Sequence, residues 1–510
     1  MAQNVKLLKN ILPKMQNALV IPSLALRSVT SKSGSGVYAS SDTLFKGAIF
    51  GRDSLEVAED LMMIKPRLVV NILTTLASLQ GQTHNKINEE EPGKIIHEYR
   101  NVIVDGKSID DTSMSIFKSL SEKWGGNEKE MAYYGAIDPT PHFLRTLGRY
   151  CEMKGPKILE SKISLRNGKI TTMHDVAAQA VQWIMDKLDS SQTGLLEYKR
   201  ANPHGILNQV WKDSDEFYVH EDKQLANHSA PIGSIEVQGI TYDGLMAAAI
   251  FFPESAPKYI AAAKNLRDRT IELLWLKDRN YFALGTDFSP EGKLRIIKTR
   301  TANPAALLDT EFFNELPAEK RHNFIEALVE YIMSSDFVTD AGIRSRALSA
   351  AHLIEFWDYH GSYVSWPKET YDIAKGLRRQ GLTKLAYQLE NRLLNVYLKT
   401  REYPEFLYVD LLGRVLASSP SSHTHGELML VDSTNNPERI QAWTVSAIIA
   451  IMNYQLKDRV IINEQAKQSA WQKSFEKKVL AKLPKVGLYL NPIALWARYP
   501  TYGYRLTKSK

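Results

Sequence analysis

The stretch WKDSDE, from Trp211 to Glu216, places a tryptophan and a lysine beside three carboxylates. A carboxyl group held next to an indole in a closing pocket is desolvated, which raises its pKa and keeps it protonated near neutral pH. Cleavage of a glycosidic bond needs one such protonated carboxyl group and a second, ionised one. These residue types therefore indicate acid chemistry on a carbohydrate, whose C–H faces suit aromatic rings and whose hydroxyls suit charged groups.

The composition argues against several other classes of protein. The chain has 510 residues and a formal net charge of +7, from 64 Lys+Arg and 57 Asp+Glu, which is a mild basic bias. Its densest basic stretches, Lys473 to Lys485 and Arg505 to Lys510, are typical of a solvated helix and tail, so no nucleic-acid partner is expected. The only cysteine, Cys151, allows neither an intramolecular disulfide nor a Cys-based zinc site, and it suits a reducing compartment.

Motifs for cofactors are missing from the sequence. No phosphate-binding glycine motif, no HExxH and no GxSxG occurs, so we expect no nucleotide, metal or other cofactor. His423 and His425 with Glu427 resemble a metal-binding group, but a polar surface loop is the preferred interpretation. The N-terminal residues lack the features of a secretory signal, and no stretch is apolar enough to cross a membrane. The expected location is the cytoplasm, without a membrane partner.

Helical patterns dominate the elements that must position these residues. Apolar residues recur at helical spacing in Ser54–Met63, Leu68–Leu79, His174–Leu188, Gly244–Phe252, Ser255–Leu276, Glu319–Ser334, Tyr371–Lys399 and Ile440–Leu456. Only Tyr281–Gly285 and Lys293–Lys298 resemble strands, which would form a short hairpin. Long helices alternate with loops rich in Gly, Pro, Asp, Trp or His along the whole chain. This rhythm predicts an all-α fold, an (α/α)6 toroid with minor β hairpins, as a single domain over residues 1–510.

The acidic loop also resembles a known family. NQVWKDSDEF (208–217) with the following PIGSIEVQGITYDGL is similar to the acid-bearing segment of the amylo-α-1,6-glucosidase (glycogen debranching) family of six-hairpin glycosidases. Further similar stretches follow in the family's order between about residues 45 and 455: FGRDSL (50–55), PGKIIHEYR (92–100), YYGAIDPTPHFL (133–144), GLLEY (194–198), DAGIRSRALSA (340–350), YHGSYVSWPKETYDIAKGLRRQG (359–381), YPEFLYVD (403–410) and ERIQAWTVSA (438–447). The resemblance implies a carbohydrate substrate and an (α/α)6 barrel.

The resemblance assigns catalytic roles to two residues. It implies that Asp213 is the general acid, with Asp215 as the alternative in the same loop and a turn-forming or N-cap role as the structural interpretation. It implies that Glu405 is the general base that activates a water, with Glu402, Glu427 and Glu438 as rivals. An inverting reaction of this kind predicts carboxyl groups roughly 6.5–9.5 Å apart.

Other residues are implied to bind the substrate. Arg52 and Asp53 would hold sugar hydroxyls, although the pair also suits an N-cap of the helix at Ser54. The remaining candidates are the stacking residues Trp211, Tyr359 and Trp366, the helix-start residues Glu236 and Gln238, and the lysines Lys212 and Lys368, which alternatively hold Asp213 and Glu369. Glu98 and Arg100 suit an ion pair or a substrate contact equally well.

The sequence departs from the family in two ways. The similarity begins near Arg52, so we expect a small substrate and none of the family's additional N-terminal domains. Lys368 occupies a position where an aromatic residue is common, which suggests contact with an anionic aglycone such as a glycerate. The function expected from the residues and the resemblance is an inverting α-glycoside hydrolase acting on an α-glucosidic bond. The alternatives are another sugar-active barrel enzyme, such as a phosphorylase, lyase or epimerase, and a non-catalytic carbohydrate-binding barrel.

Overall fold

A computed structural model describes most of the chain. The described residues are 20–32, 36–41, 43–354, 358–400, 402–416, 424–425, 428–429, 437–455 and 467–483. The side chains of His423, His425 and Glu427 and the segments at 1–19 and 484–510 lie outside this set, as does part of the SKSGSG stretch.

Helices form the framework of the described chain. They are α1 (Val20–Ser28), α2 (Gly51–Leu61), α3 (Pro66–Ser78), α4 (Asp111–Trp124), α5 (Pro139–Lys154), α6 (Met173–Ser190), α7 (Ile235–Phe251), α8 (Ala256–Leu274), α9 (Ala318–Ile332), α10 (Pro367–Arg379), α11 (Thr383–Thr400), α12 (Ala442–Gln455) and α13 (Ala470–Lys482). A 3-10 segment at Asn303–Asp309 takes the place of one inner helix.

In the described part of the chain, six inner segments close a ring. The order of contacts is α2, α5, α7, the 3-10 segment, α10, α12 and back to α2. Outer helices pack on this ring: α3 on α2, α6 on α5, α8 on α7, α9 on the 3-10 segment, α11 on α10 and α1 on α12. Inner helices α7 and α12 are buried along nearly their whole length, as expected for helices that are apolar on all sides. This arrangement confirms the predicted (α/α)6 toroid.

Short β-strands lie in the segments that connect the helices. They are β1 (Ile49–Phe50), β2 (Glu98–Asn101), β3 (Ile103–Val104), β4 (Lys107–Ser108), β5 (Glu130–Tyr133), β6 (Lys162–Ser164), β7 (Ile170–Thr172), β8 (Glu197–Tyr198), β9 (Ile232–Ser234), β10 (Trp275–Leu276), β11 (Tyr281–Phe282), β12 (Gly285–Phe288), β13 (Leu294–Ile297), β14 (Val338–Thr339), β15 (Gly342–Ile343), β16 (Val364–Ser365), β17 (Leu407–Tyr408), β18 (Thr424–His425) and β19 (Leu428–Met429). The expected hairpin exists, but its first strand is β12, which pairs with β13 and also with β9. Tyr281 and Phe282 pair instead with β10.

The helix predictions were incomplete in two respects. The pattern over Tyr371–Lys399 is two helices, because Gly381 adopts a φ of 75° after α10 and turns the chain. Helix α5 was not among the predicted helices; it begins at Pro139, in the first helical turn, where a missing N–H costs nothing. Helix α4 was also missed, although Asp110 caps it by accepting a hydrogen bond from the Ser113 backbone.

The centre of the ring is charged. Glu59 of α2 accepts hydrogen bonds from Arg145 and Arg149 of α5 at 2.6 and 2.7 Å. Asp60 of α2 accepts one from Lys375 of α10 at 2.9 Å. These ion pairs, which we call the axial network, are buried, and each charge has an opposite charge as its neighbour. The inner helices α2, α5 and α10 therefore meet through charges at the axis of the ring.

No helix among the described residues has the length and apolar character needed to cross a membrane.

Candidate active site

A cavity of about 490 Å³, here called the mouth cavity, opens among the loops that precede the inner helices. Its lining residues are Leu44, Phe45, Phe50, Arg52, Asp53, His97, Asp213, Tyr359, His360, Trp366, Glu405, Phe406, Glu438, Gln441 and Trp443. Two of the residues that the resemblance singled out as catalytic, Asp213 and Glu405, thus share one cavity.

The N-terminal ends of several inner helices converge on this cavity. Arg52 and Asp53 lie in the first turn of α2, Asp138 directly precedes α5, Trp366 is the N-cap of α10, and Gln441 directly precedes α12. Because the side chains near these ends belong to rigid elements, the ring holds them in place. The positive ends of the helix dipoles also favour negative charge there.

Asp213 is the carboxyl group that the WKDSDE loop presents to the cavity. Burial raises the pKa of Asp213 to about 6, against the lowering effects of nearby Arg52 and of a hydrogen bond from the Tyr359 hydroxyl. That hydroxyl donates to Asp213 Oδ1 at 2.5 Å. Asp215 is exposed and does not line the cavity, because the loop turns away after Ser214. Asp213 begins no helix, so the N-cap alternative does not apply.

Glu405 lies just before β17 and is buried in the cavity wall. Burial raises the pKa of Glu405 to about 8, and the charges of Glu438, Asp53 and Asp213 add to this effect. Its Oε2 accepts a hydrogen bond from the Glu438 backbone at 3.2 Å.

The rivals for the role of base have other environments. Both oxygens of Glu438 accept hydrogen bonds, from the Ser40 hydroxyl at 2.7 Å and the Leu44 backbone at 3.0 Å, although the residue does line the cavity. Glu402 pairs with Arg439 at 3.2 Å outside the cavity. Glu427 lies outside the described residues.

Arg52 and Asp53 line the cavity, as the resemblance implied. Arg52 Nε donates to Asp138 Oδ2 at 2.8 Å, and its buried Nη2 has no hydrogen-bond partner among the described residues. Asp53 accepts a hydrogen bond from Gln441 at 3.0 Å, and burial raises the pKa of Asp53 to about 7 despite the charge of Arg52. The alternative N-cap role is wrong, because α2 begins at Gly51 and no side chain caps it.

Aromatic rings and neutral histidines complete the wall. Tyr359 and Trp366 line the cavity, and the His360 ring stacks on Trp366 at 4.8 Å. Burial holds the pKa of His360 well below its ordinary value, so the ring is neutral. The Ser214 hydroxyl donates to Asp358 at 2.8 Å, and His360 Nδ1 lies 3.2 Å from that hydroxyl and accepts from the Ser214 backbone N–H at 3.5 Å. The His360 Nε2 atom is buried without a hydrogen-bond partner among the described residues.

Four further candidates lie behind this wall. Trp211 does not line the mouth cavity: it packs edge-on against His360 and Trp366 and donates to Glu236 Oε2 at 2.8 Å. With Glu236 and Lys368, it borders a smaller inner chamber of about 50 Å³. Lys212 is fully buried, bonds Asn303 at 2.9 Å and pairs with Glu369. These residues hold the WKDSDE loop on the ring.

The remaining candidate, Gln238, is farther away. Its amide exchanges hydrogen bonds with the Leu196 backbone at 2.8 and 3.0 Å, because the second turn of α7 faces β8. Glu98 and Arg100 form an ion pair and do not line the cavity.

Lys368 does not line the mouth cavity. Its ammonium group pairs with Glu56 at 2.9 Å and with Asp372 at 2.7 Å, and it lies 4.8 Å from the centre of the Trp211 ring. The side chain points from the start of α10 into the centre of the ring because those two carboxylates are there. Binding of an anionic aglycone by Lys368 stays a prediction, and such a ligand would have to compete with Glu56 and Asp372 for the ammonium group.

We expect Lys368→Met to destabilise the protein. Removing one partner of a buried ion pair leaves the other charge uncompensated, which costs about 3–5 kcal/mol. Lys264→Met is the matched control, because Lys264 forms an exposed pair with Glu315 and exposed pairs contribute at most about 1 kcal/mol. Denaturant unfolding measures both free energies, and equal losses would contradict a structural role for Lys368.

The sequence motifs contained several cavity residues that received no role. His97, His360, Gln441 and Trp443 line the mouth cavity and lie in stretches that resemble the family's pattern. The available signal was their position just before a helix or beside a recognised motif residue.

Among the described residues, no three or more His, Cys, Asp or Glu side chains are grouped as metal ligands.

Comparison with known proteins identifies the fold. The chain matches no protein-family model and no curated protein. It is similar to the solved structure of the GH63 mannosylglycerate hydrolase from Thermus thermophilus in complex with glucose, with a TM-score of 0.52 and 13% sequence identity over 86% of this chain and 99% of that one. It is also similar to the structure of a variant glycosidase, with a TM-score of 0.50 and 11% identity over 86% and 97%. The chain thus has the six-hairpin glycosidase fold.

Proposed function

We propose that this protein is an inverting α-glycoside hydrolase. The observation that carries the proposal is that Asp213 and Glu405 line one cavity with Arg52, Asp53 and a wall of aromatic rings. Glycosidic cleavage requires two carboxyl groups on one cavity, and burial raises the pKa of Asp213 to about 6, as suits a general acid. The neighbouring mannosylglycerate hydrolase, with glucose bound, supports a carbohydrate as the ligand of this fold.

The reaction follows from these positions. Asp213 donates its proton to the glycosidic oxygen as the C–O bond breaks, and the aglycone leaves as an alcohol. Glu405 takes a proton from a water whose oxygen bonds to the anomeric carbon from the opposite face, which inverts its configuration. The Tyr359 hydroxyl stabilises the Asp213 carboxylate that this step creates. Arg52 and Asp53 hold sugar hydroxyls.

One observation favours the reverse assignment of acid and base. The pKa of Glu405, about 8, is higher than that of Asp213, about 6, so the ligand-free cavity protonates Glu405 first. Bound substrate acts against this order: a water that donates to Glu405 stabilises its ionised form, and a glycosidic oxygen that accepts from Asp213 stabilises its protonated form. We assign the acid to Asp213 on the resemblance of its loop.

The resemblance to the amylo-α-1,6-glucosidase family supports an α-glucosidic bond as the one cleaved. A phosphorylase is less favoured, because Arg52 is the only cationic side chain among the described lining residues and it is already paired with Asp138. A barrel that only binds sugar has no use for two opposed acids.

A panel of α-glucosides and α-mannosides, with the first-formed anomer followed by NMR, tests the proposal. We expect the β-anomer to form first. A first-formed α-anomer would exclude the role of Glu405 as water activator. Turnover only with added phosphate would show a phosphorylase, and binding without turnover would show a carbohydrate-binding barrel.

Tyr359→Phe tests the arrangement around the acid. The Tyr359 hydrogen bond lowers the pKa of Asp213, so its removal raises that pKa above about 6. Because a general acid works only while protonated, activity is lost as pH rises through its pKa. In the substrate complex the proton lies on Asp213, so the alkaline limb of the kcat profile, which reports that complex, should move to higher pH in the variant. An unchanged limb would show that this limb does not report Asp213.

A further inference from the structure

The mouth cavity is lined by more acidic than basic side chains. Its described lining residues include four carboxyl side chains, from Asp53, Asp213, Glu405 and Glu438, and one cationic side chain, that of Arg52. The two histidines of the wall, His97 and His360, add no charge, since burial holds both of their pKa values well below the ordinary range.

The charge of Arg52 is already balanced. Its Nε atom bonds Asp138 at 2.8 Å, and Asp213 and Asp53 also lie within electrostatic reach. An anion that approached Arg52 would compete with these carboxylates. The guanidinium group can donate from Nη2 to a neutral hydroxyl without such competition.

Cations around the cavity are paired in the same way. The nearby described ion pairs are Lys46 with Asp110, Arg100 with Glu98, Lys212 with Glu369, Arg346 with Asp358 and Lys368 with Glu56. The excess negative charge of the cavity is therefore not cancelled from behind its wall. Burial raises the pKa of Asp53 to about 7 and that of Glu405 to about 8, and the charges of neighbouring carboxylates add to the effect at Glu405.

Apolar groups make up another part of the lining. Leu44 is 46% exposed, Phe45 contacts Phe50 edge-on with ring centres 5.3 Å apart, and Phe406 and Trp443 are buried in the wall. Such groups pack against an uncharged aglycone, but they offer a carboxylate or phosphate neither a hydrogen bond nor an opposite charge.

We propose that this site takes glycosides whose aglycone is uncharged or cationic and that it rejects glycosides of anionic aglycones. The inference rests on the proposed function only in that the mouth cavity binds a glycoside. It follows from the pairing of every nearby described cation, together with four carboxyl groups on the cavity wall. A negative charge inside this cavity would lose its hydration without an available cation among the described lining residues to pair with. It would also be repelled by those carboxyl groups that are ionised.

Three non-hydrolysable thioglycosides of matched size test this directly. They are the 2-hydroxyethyl, 2-aminoethyl and carboxymethyl 1-thio-α-glucosides, and the same three mannosides cover the identity of the sugar. At low ionic strength we expect the carboxymethyl compound to bind about tenfold or more weakly than the hydroxyethyl compound, and the aminoethyl compound to bind at least as tightly. Salt at about 1 M should reduce these differences. Calorimetry with the full chain measures the constants.

Variants at the rim give the same test from the protein side. Leu44→Lys places a cation on the exposed part of the lining, and Leu44→Gln is the matched neutral control. Leu44→Lys should reduce the difference in affinity between the carboxymethyl and hydroxyethyl ligands, and Leu44→Gln should leave that difference unchanged. Ile250→Lys adds the same charge on α7 outside the cavity lining, at a side chain that is 61% exposed. It should leave the difference in affinity between the two ligands unchanged.

The outcomes separate this inference from the proposed function. Equal or tighter binding of the carboxymethyl ligand overturns the inference, whatever the enzyme hydrolyses. If the thioglycosides bind in the expected order but the oxygen-linked 2-hydroxyethyl glycosides are not hydrolysed, the inference is supported and the hydrolase proposal is overturned. A failure of all six ligands to bind overturns both.

Discussion

Asp213→Asn is expected to lower kcat on an alkyl α-glycoside by about 10²–10⁴-fold, the range that a general acid contributes. Asparagine keeps the shape and the hydrogen bond from the Tyr359 hydroxyl but has no proton to give to the leaving oxygen. The loss should be much smaller for glycosyl fluorides and 2,4-dinitrophenyl glycosides, whose leaving groups depart without protonation. Steady-state kinetics on both substrate types measures the difference.

Asp215→Asn is the matched control for this experiment. It makes the same chemical change two residues further along the loop, at an exposed side chain outside the cavity. We expect it to keep wild-type kcat. Equal losses in the two variants would mean that the loop is disturbed as a whole, and a loss confined to Asp215→Asn would move the acid to that residue.

Glu405→Gln is expected to lower kcat by a similar factor, about 10²–10⁴-fold, because no group then removes the proton of the attacking water. Unlike the loss in Asp213→Asn, this one should be similar for good and poor leaving groups. Azide, which attacks without a base, should restore turnover and give a glycosyl azide of inverted configuration. Chromatography of the products and NMR of the azide check both expectations.

The controls for Glu405 are its rivals. Glu402→Gln, outside the cavity, should keep wild-type activity. Full activity in Glu405→Gln would remove it from the mechanism and leave Glu438 as the lining carboxylate to test. If the leaving-group dependence appears in Glu405→Gln and azide rescue in Asp213→Asn, the reverse assignment is correct and the order of the resting pKa values persists in the complex.

The fold was predictable from the sequence because helix patterns and unusual loops alternate over the whole chain. What the patterns could not show were features that depend on a single backbone conformation or on tertiary contacts. The break between α10 and α11 depends on one glycine with a positive φ. The inner 3-10 segment at 303–309 depends on its neighbours in the ring, since α7 and α10 pack against it.

The site was predictable at the level of loops and less so at the level of side chains. In WKDSDE, Asp213 reaches the mouth cavity, whereas Trp211 and Lys212 face the interior. Successive residues of an irregular loop point in different directions, and the sequence alone does not show which of them face the axis of the ring. Lys368 shows the same limit: its position in the motif suggested the ligand, but the carboxylates of α2 attract it to the axis.

The axial network has a consequence for the order in which this chain folds. Asp60 bonds Lys375 and Ser446, which lie 315 and 386 residues further along the chain. Contacts of such separation form only after a large loop has closed, which makes them late events. Neighbouring hairpins gain their apolar contacts first, while the charges remain hydrated. The ion pairs therefore stabilise the native ring and contribute little to the folding transition state. We expect their loss to raise the unfolding rate more than it lowers the folding rate.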